Sequence, residues 1–84
     1  MNIYVSNINF LVTNDELRAT FEQYGTVESA TIVLDKATHR SRGFAFVLMP
    51  NNAEAEDAIT HLNGFELQKR ALSVKEARPQ PARV

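Results

Sequence analysis

Between Gly43 and Pro50 the chain reads Phe44-Ala45-Phe46-Val47-Leu48-Met49, and this run constrains the fold more than any other segment. Six apolar residues closed off by a glycine and a proline are too few for a stable helix, but they suit a strand. Side chains alternate along a strand, so Phe44, Phe46 and Leu48 share one side and Ala45, Val47 and Met49 the other. Both sides are therefore apolar. With only 84 residues there is material for one domain and one core. That core can cover one side of the strand, which leaves apolar groups uncovered on the other. Exposed contiguous apolar surface is costly and marks a binding site. Period two alone does not say which side is open.

The rest of the chain supplies the partners of this strand. Residues 2–8 (Asn-Ile-Tyr-Val-Ser-Asn-Ile) are β-branched and aromatic at period two and predict a first strand. Thr13-Asn14-Asp15-Glu16 has capping-box spacing, and Leu17, Phe21 and Tyr24 follow as one helical stripe that Gly25 can end with a positive φ. Val27–Leu34 predicts a second strand, and Asp35–Arg42 is a charged hairpin loop before the third. Asn51 or Asn52 can cap a second helix with Ala55, Ala58, Ile59 and Leu62 inward and Asn63-Gly64 at its end. Phe65–Leu67 is short and extended, Gln68-Lys69-Arg70 a turn, and Ala71–Ala77 a last strand. The order β-α-β-β-α-β predicts an α+β, ferredoxin-like sandwich, with a four-stranded antiparallel sheet and two helices on one face. The first and third strands lie side by side at its centre. Residues 1–78 form the expected domain, and 79–84 a flexible tail containing Pro79 and Pro81.

Composition narrows the chemistry. There is no cysteine and there are only two histidines, so neither a disulfide framework nor a metal site is expected. Met1-Asn2-Ile3-Tyr4-Val5 lacks the basic and apolar regions of a signal peptide, and no apolar run could span a bilayer. A cytoplasmic protein is the expectation. The net charge of −1 conceals a segregation. The two helical segments carry six acids (Asp15, Glu16, Glu22, Glu54, Glu56, Asp57) against Arg18. The remainder carries eight cations (Lys36, Arg40, Arg42, Lys69, Arg70, Lys75, Arg78, Arg83) against four acids. A partner responds to the local field rather than to the sum.

Arg42-Gly43-Phe44-Ala45-Phe46-Val47-Leu48-Met49 resembles the eight-residue signature of the RNA recognition motif family, with seven positions agreeing. Ile3-Tyr4-Val5-Ser6-Asn7-Ile8 resembles that family's six-residue companion motif. The similarity covers residues 2–78, and the short chain looks like the small single-domain RNA-binding proteins of bacteria.

The resemblance implies that Tyr4, Phe44 and Phe46 are the rings of the open face, with Arg42 on phosphate. It implies single-stranded RNA crossing the sheet, one base on Tyr4 and another on Phe44, while Phe46 packs against sugar or a further base. Lys75, Arg78, Asn2, Ser6, Lys36 and Arg40 are the further candidate contacts, with Thr31 and Val33 beside them on the second strand. Leu72 and Val74 should face the helices, and Ser73, Lys75 and Ala77 the open side. Phe10, Leu17, Phe21 and Tyr24 are expected in the core, and Met49 on the inward side. The family often has glycine at His39 and Lys69, so both would need positive φ if the turns are kept.

The function implied is binding without catalysis or cofactor, in post-transcriptional regulation or RNA chaperoning. The protein is expected to be a monomer, with single-stranded DNA as a second possible ligand and a protein partner not excluded. The alternative is a protein-interaction module on the same fold, against which the intact rings and Arg42 count. An acylphosphatase-like enzyme would need a phosphate-cradling loop after the first strand. Ile8-Asn9-Phe10-Leu11-Val12 offers neither glycine nor cation for one.

Overall fold

The structure, a computed structural model, describes residues 1–77. Arg78 and the expected tail at 79–84 lie outside the described residues. The elements are β1 (Asn2–Ser6), α1 (Asn14–Glu22), β2 (Ser29–Leu34), β3 (Ser41–Leu48), α2 (Asn52–Leu62), β4 (Glu66–Leu67), β5 (Arg70–Ala71) and β6 (Ser73–Glu76). Four strands pair antiparallel in the order β2-β3-β1-β6, so β1 and β3 are the central neighbours that the sequence predicts. Ile3, Val5, Ile32, Ala45, Val47 and Val74 of this sheet pack with Leu17, Phe21, Ala55, Ala58 and Leu62 of the helices in one buried cluster. Met49, Leu72 and Val74 point inward as expected.

Helix starts follow local chemistry. The Thr13 hydroxyl accepts from the Glu16 N–H at 3.1 Å, and the Asn51 side chain accepts from the Glu54 N–H at 3.0 Å, which makes Asn51 the cap of α2. Only half of the capping box forms. The Glu16 carboxylate turns away and accepts from Gln68 Nε2 at 3.0 and 3.2 Å. Gly25 also differs from its expected role: its φ of 159° is almost extended, not the left-handed value of a helix stop. Glycine is needed there for room, because a Cβ would collide with the Glu54 side chain. That carboxylate accepts from the Thr26 N–H at 3.0 Å.

Three strands are shorter than expected: β2 starts at Ser29 rather than Val27, and the first and last strands are also cut. β1 stops at Ser6, where Asn7 takes a φ of 60°, and Ile8 reconnects by donating to the Gly43 carbonyl at 3.0 Å. The expected strand Ala71–Ala77 is divided. β5 pairs with β4 in a small hairpin, Leu72 dips into the core, and β6 then joins β1. The hairpin turns on Gln68 and Lys69, at φ 52° and 66°. Two-residue hairpin turns with both φ positive favour Asn-Gly, because other side chains are strained there. Lys69→Gly is therefore expected to stabilise the fold by about 0.5–1 kcal/mol, a rise in Tm of a few degrees measurable by thermal unfolding. An unchanged or lower Tm would show that the turn carries no strain.

Candidate nucleic-acid interface

Register builds the open face. Tyr4 lies opposite Phe46 and Ser6 opposite Phe44, while the alternate residues Ile3, Val5, Ala45 and Val47 are wholly buried behind them. Three rings from two strands thus meet on the uncovered side. Tyr4 is 5.9 Å from Phe44 and 5.6 Å from Phe46 between centroids, and Phe44 meets Phe46 edge-on at 6.3 Å. Phe46 is 44% exposed, whereas Tyr4 and Phe44 are half-buried. The helices cover the other face of the sheet.

Cations sit on the rings. The Arg42 guanidinium lies 5.8 Å over Phe44, and Lys75 Nζ, opposite Tyr4 in register, lies 5.5 Å over Tyr4. Asn2 and Ser6 share the parity of Tyr4, and Thr31 lies directly opposite Phe46. Val33 is half-buried. These residues surround the rings much as the sequence predicts. Lys36 and Arg40 do not join them. Both are exposed on the loop between β2 and β3, and Arg40 borders a recess at the end of the sheet. Arg78 lies outside the described residues.

That loop is tied by its own first residue. The Asp35 carboxylate accepts from the Ala37 and Thr38 N–H groups at 2.8 and 3.1 Å, and its backbone exchanges bonds with His39 and Arg40. His39 takes a φ of 59°, the positive value that the turn demands. Hydrogen bonds from Thr38 and Ala37, with a smaller contribution from Arg42, hold the Asp35 carboxyl below its ordinary range. A depressed pKa favours the ionised, folded form at any pH above the unfolded carboxylate value of about 3.9. The loop stays fastened until the pH falls through the lowered value.

Phe10 is not in the core. It is 68% exposed, and its neighbour Leu11 is 63% exposed. The reason is a β-turn: the Val12 N–H reaches the Asn9 carbonyl at 3.0 Å, and Asn9 Oδ1 accepts from the Leu11 N–H at 2.9 Å. Phe10 and Leu11 are left at the tip. No glycine or proline announces this turn, so its only sequence signal is Asn9. Tyr24 is likewise only partly buried, stacked on His61 at 5.2 Å. Among the described residues no helix is long and apolar enough to cross a membrane.

Known proteins share this arrangement. Residues 3–73 match the RNA recognition motif family. RbpD of Nostoc sp., a protein named for RNA binding, is 42% identical over 95% of this chain and 85% of its own length. The chloroplast 29 kDa ribonucleoprotein of Arabidopsis thaliana is 41% identical over 99% of this chain, which spans 24% of that protein. The crystal structure of the RNA-binding protein PG1 superposes with a TM-score of 0.91 at 47% identity, covering 96% of this chain and 98% of that one. A Sxl-lethal protein/RNA complex superposes at 0.85 with 38% identity, over 90% of this chain and 47% of that one. With the sheet order, the two motif strands side by side and the family match all in agreement, the chain belongs to the RNA recognition motif family.

Proposed function

We propose that this protein binds single-stranded RNA across the open face of its sheet, without catalysing a reaction on it. The observation that carries this reading is the group of three uncovered rings, Tyr4, Phe44 and Phe46, on adjacent central strands. Each ring can offer a π-face to a base, worth about 1–3 kcal/mol per stacked base. The exposures favour a reassignment within the trio. Phe46 presents more ring to solvent than Phe44, so bases belong on Tyr4 and Phe46. Phe44, edge-on to Phe46 and capped by Arg42, suits the sugar between them.

Arg42 and Lys75 are placed to hold phosphates on either side of the rings, and Asn2, Ser6 and Thr31 to meet bases or 2′-hydroxyls. Lys75 has to leave the face of Tyr4 when a base arrives, which its flexible stem allows. The acids of α1 and α2 lie on the covered side of the sheet, so a net charge of −1 does not oppose the binding. Binding as a monomer in the cytoplasm goes with this reading. Single-stranded DNA is expected as a second ligand, since its bases stack equally and only the 2′-hydroxyl contacts separate the two. Relatives of this chain include proteins named for RNA binding, which supports the choice of ligand.

Fluorescence anisotropy with labelled random-sequence RNA tests the proposal. Single strands are expected to bind and the matching duplex not. Equal affinity for both would refute stacking as the mode. With three to five cations engaged, log K is expected to fall against log salt with a slope of about −2 to −3.5. A slope near zero would remove the phosphates from the interface.

A further inference from the structure

The two edges of the sheet are finished differently. β6 forms one edge and β2 the other. At β6 the preceding chain lies alongside: Gly64 donates to the Leu72 carbonyl at 2.7 Å, and Leu72 donates to the Phe65 carbonyl at 2.9 Å. Next to them Asn63 Oδ1 accepts from the Val74 N–H at 3.1 Å, and the strand itself carries Lys75 and Glu76. A covering segment and charged side chains are two ways in which proteins blunt an edge. Among the described residues β2 has neither. It reads Ser-Ala-Thr-Ile-Val-Leu, without charge or proline, and Thr31, Ile32 and Val33 are β-branched. The contact that reaches its outer edge comes from the first turn of α1, where Asn14 Oδ1 accepts from the Ile32 N–H at 2.9 Å.

We infer that the outer edge of β2 is a self-pairing surface for a second copy of this chain, and that Asn14 holds it shut. The inference does not depend on the RNA-binding reading of the open face. Strand geometry supplies the pairing groups. Ile32 turns its N–H outward to Asn14, so Ala30, two residues earlier, turns its own N–H and carbonyl the same way. Pairing with β3 is regular from Ser29 to Ile32 and shifts register only before Leu34, so these groups belong to regular strand.

An identical strand is the occupant that fits. When two copies meet antiparallel about a twofold axis through Thr31, Ala30 of each lies opposite Ile32 of the other, and each pair can exchange two backbone bonds. The strand carries no charge, so nothing repels its own copy. Half of the donors in this pairing are Ile32 N–H groups. While Asn14 occupies them, those bonds are lost. The remaining half must then offset the whole loss of rigid-body freedom on association, at about 4 kcal/mol or more. The monomer wins while the asparagine is in place.

Asn14→Ala tests this, since Asn14 is exposed and alanine suits a helix. Sedimentation equilibrium over a dilution series is expected to find the parent monomeric. The variant should associate, with a constant at least about five-fold above any shown by the parent. Asn14→Asp, which keeps the acceptor oxygen, should stay monomeric. Adding Thr31→Lys to Asn14→Ala should restore the monomer, because like charges would face each other across the axis. Asn63→Ala removes the matching bond at β6, but Gly64 and Phe65 still cover that edge, so it should not associate. In the dilute parent, hydrogen exchange should give the Ile32 amide a protection factor at least about ten-fold above that of Ala30, and Asn14→Ala should erase the difference.

A dimeric parent, or Ile32 protected no better than Ala30, would show that Asn14 does not hold the edge. An Asn14→Ala variant that stays monomeric would show that the edge does not pair. Association of Asn63→Ala to the same degree, or association that Thr31→Lys fails to reverse, would trace the effect to general loss of stability. Each of these results overturns the inference.

Discussion

Replacing Phe44 and Phe46 together by alanine is expected to weaken RNA binding by about 30-fold to 10⁴-fold and to leave a folded domain. The range takes about 1–3 kcal/mol for the base stacked on Phe46 and a contribution of the same order for the sugar packed on Phe44. Little stability depends on these rings. Phe46 is 44% exposed, Phe44 stands half in solvent, and their positions lie on the face away from the buried cluster. Aromatic pairs contribute about 0.5–1.5 kcal/mol each when packed, and here they are only partly packed. Tm should therefore fall by no more than about 10 °C. Anisotropy titration against a random RNA pool, beside a thermal melt of the same sample, measures both quantities. Affinity unchanged in a folded double variant would sink the proposed binding mode. Tyr4→Ala should behave like Phe46→Ala alone, because the two residues face each other in register and offer comparable surfaces.

The ringed face was legible because a strand's period of two is rigid. Once Ala45, Val47 and Met49 go inward, Phe44 and Phe46 have nowhere to go but out, and the neighbouring of β1 and β3 follows from the element order, while the register that sets Tyr4 opposite Phe46 is seen only in the structure. Periodicity could not choose between the two sides; the motif resemblance did, and the burial of Val47 and Met49 agrees with it. Positive φ at His39 and Lys69 was legible for the same reason, since turn shapes are shared more widely than the residues that fill them. What escaped is where one residue depends on another far along the chain. Glu16 abandons its capping box for Gln68, and Gly25 answers to Glu54 rather than to the end of its own helix. Phe10 was misplaced because an aromatic residue before a helix ordinarily packs inward. Here a turn closed by Asn9, itself bonded to Gln68, carries it out. Each of these contacts spans more than 25 residues of sequence or hangs on one that does.

A phenylalanine on the other side of the sheet should show the opposite behaviour. Phe21, in α1, has no exposed surface and is among the largest fully buried side chains. Its truncation to alanine removes the ring and leaves a cavity that the fixed sheet cannot fill, a cost of about 3–5 kcal/mol. A domain of this size has roughly 4–13 kcal/mol in all, so Phe21→Ala is expected to lower Tm by at least about 12 °C and to bring the domain near the edge of folding at ordinary temperature. The RNA-binding face is untouched by this change, because Tyr4, Phe44 and Phe46 contact each other and solvent rather than α1. Below its transition the variant should therefore bind RNA with the affinity of the parent. Saturating RNA should raise its Tm, since the ligand binds only the folded state. The two phenylalanine experiments then separate cleanly: one removes binding and spares the fold, the other weakens the fold and spares binding. If Phe21→Ala lost affinity while keeping its Tm, the division of the rings between a covered and an open face would be wrong.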